Sequence, residues 1–246
     1  MMSQDDPKDP SSTDDTAEPV QQWPRSYLRR QGHITRGQKR AIARLWPQFG
    51  LTFKYGQTLD LEAAFGNDHP VTLEIGFGKG DVLAHMASQA PQRNFLGIEV
   101  HRPGVGALLG HVERLGLTNV RVLRGDAMIV LAEHLRGRPL DQTCIFFPDP
   151  WHRTKDHKRR IVRPQILSLL AERTRPGGQL HLATDVQDYA RHMQEALHDS
   201  PHWQPQGQDG RVPRPSWRPM SLYEHKGLDE GRAVFNLRAT LQEMPE

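Results

Sequence analysis

Val71-Thr72-Leu73-Glu74-Ile75-Gly76-Phe77-Gly78-Lys79-Gly80-Asp81 decides the fold. The run from Val71 to Ile75 is apolar and of strand length. Three glycines follow at alternate positions, and residues 81–89 then read as a helix. Strand, glycine turn and helix, in that order, open a βαβ unit. Glycines at Gly76, Gly78 and Gly80 let the backbone come close to a ligand. An acid, Glu99, ends the next strand at the spacing of roughly 20 residues that such units use to hold a ribose.

The alternation continues outward from this stretch. Residues 94–100, 120–123, 143–147 and 179–183 read as strands, and residues 104–115, 126–135, 164–174 and 186–198 as helices. Pro176-Gly177-Gly178 is a strong breaker after the third of these helices. Residues 203–206 and 233–241 suit a terminal strand pair. Strands separated by helices of this length imply parallel crossovers, hence an α/β, doubly wound, mostly parallel Rossmann-like sheet. Upstream, Thr35 and Gln38 fit a capping box, and Ala41, Ile42, Leu45 and Trp46 give the following helix an apolar face. The expected organisation is a disordered acidic leader (1–22), a basic extension with a helix (23–60) and the α/β domain (61–246). No internal repeat is evident.

Composition narrows the class. The chain has 246 residues and 36% hydrophobic content, with no apolar run long enough for a membrane span. The polar, acidic N-terminus is unlike a signal peptide. One cysteine, Cys144, rules out an internal disulfide and a multi-cysteine zinc site. The thirteen histidines are scattered; His198 and His202 are four apart, but Pro201 breaks the helix that would align them. No metal site is expected, and a cytoplasmic setting fits. The net charge of +3 hides an asymmetry, because residues 1–18 hold six acids and one base. Thirty-two bases less Lys8, and 29 acids less those six, leave 31 against 23. No acid lies between Glu18 and Asp60, while Arg25, Arg29, Arg30, Arg36, Lys39, Arg40, Arg44 and Lys54 do. An uninterrupted basic segment suits nucleic acid or another polyanion.

Cys144-Ile145-Phe146-Phe147 reads as a buried strand and runs into Pro148-Asp149-Pro150-Trp151-His152-Arg153, then a cationic tail. The prolines stiffen the loop around the Asp149 carboxylate. Open α/β sheets place ligands at such strand ends. The plain alternative is a Pro-rich surface turn with a solvated basic stretch. NAD and S-adenosylmethionine both use this architecture, and three acids favour S-adenosylmethionine. Glu74, just before the glycines, suits an ammonium and would disfavour a pyrophosphate. Asp126, after the third strand, can border an adenine amino group, though within Gly-Asp-Ala it also suits a helix cap. Asp149 follows the fourth strand. With Glu99, four acids stand at four successive strand ends.

These features resemble the bacterial tRNA (guanine-N7)-methyltransferases of the TrmB type, over roughly residues 25–241. The marks are Arg25-Ser26-Tyr27, Leu73-Glu74-Ile75-Gly76-Phe77-Gly78, Phe95-Leu96-Gly97-Ile98-Glu99-Val100-His101 and Phe146-Phe147-Pro148-Asp149-Pro150-Trp151-His152. Lys158-Arg159-Arg160, Ala183-Thr184-Asp185 and Arg211-Val212-Pro213-Arg214-Pro215 also fit. The resemblance implies methyl transfer from S-adenosylmethionine to a guanine N7 in the tRNA variable loop. It implies that Glu74, Glu99, Asp126 and Asp149 line the cofactor site and that Asp149 is central to activity. It implies tRNA contacts by Arg153, Asp185, Ser221, Leu222, Tyr223 and Glu224, beside a loop of Lys155, Asp156, His157, Lys158, Arg159 and Arg160. Three positions depart from the pattern. Arg153 stands where Lys is common, Ser221 where Thr is usual, and Leu222 where a base is usual. Leu222 cannot bond phosphate, and Asp185 also suits a helix N-cap. No obligate protein partner is evident. Two other classes compete: an NAD-dependent dehydrogenase, which lacks an obvious hydride-transfer partner, and a tRNA-binding protein without catalysis.

Overall fold

The computed structural model describes residues 26–27, 32–52, 56–137 and 139–242. The acidic leader expected at residues 1–22 lies outside them, as do Arg25, Arg29, Arg30 and Lys54 and the side chains of Leu222 and Tyr223.

Thr35 starts helix α1 (Arg36–Phe49) with both halves of the capping box formed. Its hydroxyl accepts from the Gln38 N–H at 3.2 Å, and the Gln38 side chain accepts from the Thr35 N–H at 2.9 Å. Ala41, Ile42, Trp46 and Phe49 are buried, while Arg36, Lys39, Arg40 and Arg44 stay exposed. The helix therefore carries a packing face and a cationic face at once. It leads into β1 (Gly50–Leu51), which pairs with a later strand, so part of the expected extension belongs to the main sheet.

Asp60 caps the short α2 (Leu61–Phe65) through the Ala63 N–H, and Gly66 ends it with φ 74°. Then come β2 (Val71–Ile75), α3 (Asp81–Gln89), β3 (Asn94–Glu99), α4 (Arg102–Leu115) and β4 (Val120–Arg124). The helix expected to run to Leu135 is instead the three-residue α5 (Ala127–Ile129), continued by a π-helical turn, Val130–His134. β5 (Leu140–Phe146), a 3₁₀ turn (Thr154–Arg159), α6 (Pro164–Arg173), β6 (Thr174–Thr184), α7 (Gln187–His198) and β7 (Trp203–Pro205) follow. Last come α8 (Leu222–Asp229), which sequence periodicity did not signal, and β8 (Phe235–Leu241). The expected break at Pro176-Gly177-Gly178 falls inside β6. The ladder absorbs it as an irregularity, since Leu140 pairs with Thr174 while Gln142 pairs with Gln179.

One sheet holds all eight strands in the order β1-β4-β3-β2-β5-β6-β8-β7. β1 to β6 are mutually parallel, and β8 inserts antiparallel between β6 and β7. Helices cover both faces. One core joins Leu73, Ile98, Ile145 and Leu182 to Ile166, Leu170, Tyr189 and Met193. The other joins Phe95, Val122, Cys144 and Phe146 to Leu83, Leu108, Ile42 and Trp46. The chain moves outward from β2 through β3 to β4, then returns to β5 on the opposite side of β2. That reversal opens a crevice at the carboxyl ends of β2 and β5, the usual ligand position in such sheets.

Candidate active site

Gly76, Gly78 and Gly80 take φ of 72°, 58° and 80°, the left-handed region that favours glycine. Beside Gly76 and Gly78 there is open space, so conformation alone calls for glycine there. Gly104 is needed for a different reason. A Cβ on it would stand 2.2 Å from the Gly78 carbonyl oxygen. The first turn of α4 is thus seated directly on the glycine loop.

Glu99 locks the same junction. Its carboxylate accepts from the N–H groups of Gly78 (3.0 Å), Val100 (2.7 Å) and His101 (2.9 Å). Burial raises its pKa, while those backbone donors pull the other way. A carboxylate has about four acceptor directions, so about one is left for a ligand hydroxyl without rearrangement.

Glu74 is 3% exposed, and its Oε2 has no hydrogen-bond partner. Burial pushes its carboxyl up to about 8, opposed by the charge of Arg218 and reinforced by that of Glu99. It sits in register between Gly97 and Cys144 on the apolar face under α3 and α4. Asp126 caps α5 by accepting from the Met128 N–H at 2.9 Å, so the cap seen in the sequence is formed.

The Asp149 loop is strained. Phe147 (φ 49°) and Trp151 (φ 47°) are bulky residues in the left-handed region, and they flank Pro148-Asp149-Pro150. Such strain persists only where the surroundings enforce it. The surroundings here are specific. The Phe147 N–H bonds the Ala183 carbonyl at 2.8 Å. The Trp151 indole N–H donates to the Ser26 carbonyl at 3.2 Å, and Arg159 lies 3.6 Å over its ring while donating to the Tyr27 carbonyl at 2.8 Å. Water reaches Asp149, yet the surrounding protein mass is enough to raise its pKa, with His101 and Arg159 pulling it down.

The remaining expected contacts divide into two groups. Arg153, Lys155 and Lys158 are exposed, and Asp156, His157 and Arg159 are half-buried. Arg160 is revised from a residue facing RNA to one holding the loop. It is 2% exposed, donates to the Pro150 carbonyl at 2.9 Å and to Asp188 at 2.5 Å, and packs on Tyr189. Asp185 does not cap α7, whose N-cap is Val186; it pairs with Arg232 at 2.8 Å. Ser221 caps α8 by accepting from the Glu224 N–H at 3.1 Å. The Glu224 carboxylate is buried and bound by Arg218. Sequence reasoning missed two residues. His101 acts on both Glu99 and Asp149, and its signal was adjacency to the strand-end acid. Arg218 had no signal, because nothing periodic links it to Glu224, six residues on, or to Asn236, 18 residues on.

Residues 68–237 match the family described as "Putative methyltransferase". A relative from Idiomarina loihiensis, named tRNA (guanine-N(7)-)-methyltransferase, is 48% identical over 215 residues, 87% of each chain. One of the same name from Alkalilimnicola ehrlichii is 47% identical over 222 residues, covering 90% of this chain and 94% of its own. The chain belongs to the tRNA (guanine-N7)-methyltransferase family. Among solved structures, the 16S rRNA (adenine(1408)-N(1))-methyltransferase W203A mutant from Catenulisporales acidiphilia superposes with TM-score 0.52 at 15% identity. It covers 76% of this chain and 94% of its own. The 16S rRNA methyltransferase KamB gives 0.51 at 16% identity, covering 74% and 94%. At those identities the likeness concerns the fold alone.

Residues of this tRNA (guanine-N7)-methyltransferase family member fit a sulfonium amino-acid cofactor. The buried, partnerless Glu74 Oε2 suits an ammonium. The free space at Gly76 and Gly78 leaves backbone open to a ligand. Among the described residues no group of three or more His, Cys, Asp or Glu gathers as for a metal, and no helix is long and apolar enough to cross a membrane.

Proposed function

We propose that the chain methylates N7 of a guanine in tRNA with S-adenosylmethionine, and that the guanine lies in the variable loop. The observation that carries this reading is the placement of Asp149, an accessible carboxylate on a strained loop beside the crevice that holds Glu74 and Glu99. Family membership supplies the chemistry.

Glu74 would hold the cofactor's ammonium and Glu99 a ribose hydroxyl. Asp126 would border the adenine, with Gly76, Gly78 and Gly80 giving the backbone close approach. The cofactor supplies an electrophilic methyl group. Guanine N7 carries a lone pair and no proton, so its attack needs no general base. The protein's task is alignment, which alone can supply roughly 7–11 kcal/mol. Asp149 would grip the N1–H and amino edge of the guanine. Its charge would stabilise the cation that the base becomes. His101 and Arg159 favour the ionised form that this role requires.

Arg153, Lys155 and Lys158 would meet phosphates from the loop, and Arg36, Lys39 and Arg40 from α1. Asp156, His157 and Arg159 line the same loop, and Arg160 would keep it in place. Asp185 and the first turn of α8, with Ser221, Leu222, Tyr223 and Glu224, would form the opposite wall. In RNA helices N7 faces a deep, narrow groove that side chains cannot read. The target guanine is therefore unstacked or in a distorted region.

Mass spectrometry of nucleosides from unmodified tRNA, incubated with protein and S-adenosylmethionine, tests this. The expected product is 7-methylguanosine, mapped by nuclease fragments to the variable loop. Methylation of another atom overturns the reading, and 7-methylguanosine elsewhere in the tRNA overturns the choice of loop.

A further inference from the structure

Arg218 is fully buried, in a stretch with no secondary structure of its own. Its guanidinium makes a two-pronged bond to Glu224, at 2.6 and 3.2 Å, and donates to the Asn236 amide oxygen at 2.8 Å. It lies 5.1 Å from the Phe146 ring centre and 5.8 Å from that of Phe147, the strained residue before Pro148-Asp149. Arg214 adds a second cation 3.6 Å from Glu224 and donates to the Arg218 carbonyl. Arg218 is also the positive charge acting on Glu74. A buried ion pair of this kind is poor at adding stability, because desolvation offsets the attraction. A geometric role explains it better.

We propose that Arg218 is a positioning residue that ties the cofactor pocket to the substrate wall. One guanidinium holds the first turn of α8 through Glu224, packs on Phe146 and Phe147 behind the Asp149 loop, and places positive charge near the Glu74 carboxylate. The inference rests on the reading that Glu74 receives the cofactor's ammonium.

Two neighbouring charges then act oppositely on cofactor binding. Removing Arg218 leaves Glu74 harder to ionise. Removing the Glu224 charge leaves Arg218 less neutralised and Glu74 easier to ionise. The other groups near Glu74 are Glu99 on β3 and Cys144 on β5, with His181 and Arg238 following in register on β6 and β8. Burial pushes the Cys144 thiol up and the His181 imidazole down to about 4, so neither changes charge near neutrality.

The test is calorimetric binding of S-adenosylmethionine between about pH 6 and 9. It uses the full chain and the variants Arg218→Gln, Arg218→Lys and Glu224→Gln. The acid limb of the affinity profile reports Glu74; the ligand's own amine sets the alkaline limb. Arg218→Gln should move the acid limb up by roughly one pH unit, whereas Arg218→Lys should hold it and Glu224→Gln should move it down. Methyl transfer should fall roughly a hundredfold in Arg218→Gln and in Arg218→Lys, since loss of the two-pronged geometry misplaces the wall. A merely structural role would lower melting temperature without opposite shifts. If Arg218→Gln does not fold, Glu224→Gln with the double variant Arg218→Met/Glu224→Leu decides, because apolar replacement of both partners tends to preserve stability. An acid limb unmoved or raised in Glu224→Gln overturns the proposal. A parent chain that binds no S-adenosylmethionine at any pH overturns the functional reading instead.

Discussion

The two walls of the crevice are made from different materials. The wall at β2 and β3 is backbone. Positive-φ glycines, three N–H groups on Glu99 and the seating of Gly104 on Gly78 define it within residues 74–104. The wall at β5 and β6 is side chain. Arg232–Asp185 and Arg160–Asp188 join segments far apart in the chain, and Arg218–Glu224 ties a loop to the helix that follows it. Backbone gives a cradle set before any ligand arrives, whereas ion pairs give a face that changes of charge can adjust. The first wall should fail by distortion, and the second by loss of charge.

Asp149→Asn should have the largest effect. The amide is nearly isosteric but uncharged, and a lost electrostatic group of this kind costs roughly 10²–10³ in rate. Single-turnover transfer at saturating cofactor and tRNA measures it, and tRNA binding should persist. A near-normal rate would remove the carboxylate from the chemistry.

Gly104→Ala attacks the other wall. The new methyl meets a carbonyl oxygen that the loop cannot move freely. Overpacking of this kind costs about 1–3 kcal/mol, which should lower the melting temperature by several degrees and cofactor affinity with it. Gly110→Ala on the same helix has open space beside it and should do neither. Equal behaviour of the two variants would refute a sterically set cradle.

Glu74→Gln separates the walls by pH. Burial raises its folded-state pKa from an ordinary 4.5 to about 8. The unliganded parent's stability from this group is therefore full below pH 4.5, declines above it, and is lost by about pH 8. Gln cannot ionise, so the melting-temperature gap in favour of the variant should widen from pH 5 to 8. Cofactor affinity should fall about tenfold or more. A gap that stays constant with pH would mean Glu74 ionises freely in the folded chain.

The smallest effect belongs to α1. Replacing Arg36, Lys39 and Arg40 with Gln should leave melting temperature alone, since all three are exposed. Each phosphate contact contributes roughly 0.7–0.9 to the slope of log affinity against log salt. The triple variant should flatten the slope for tRNA by about two units. An unchanged slope confines tRNA to the side-chain wall.

Legibility in the sequence follows the same division. The backbone wall could be read because glycine spacing, a strand-end acid and a capping box are local signals. β2 and α3 start and end where the pattern placed them. The side-chain wall resisted reading. Arg160 and Glu224 look like solvent-facing charges in polar stretches of sequence, and only tertiary packing buries them. Arg218 and Asn236 meet across 18 residues without any periodic cue. Asp185 suits a cap by composition, but Arg232, 47 residues on, takes it instead. The helix before Pro176-Gly177-Gly178 ends at Arg173, as the breaker implies, but the strand starts at Thr174 rather than Gln179, because a parallel ladder can absorb an irregularity that would end a helix.

The brevity of β1 bears on solubility. A two-residue rim strand offers almost no template on which another molecule can add, and β7 at the far rim has three residues. Beneath β1 lies β4, a longer strand whose Val122 and Leu123 pair with it. Cutting the chain after Leu51 would strip away both the cationic helix and this guard, exposing a sticky edge. The truncated protein would be expected to clump, and its silence toward RNA would then reflect precipitation rather than a lost grip.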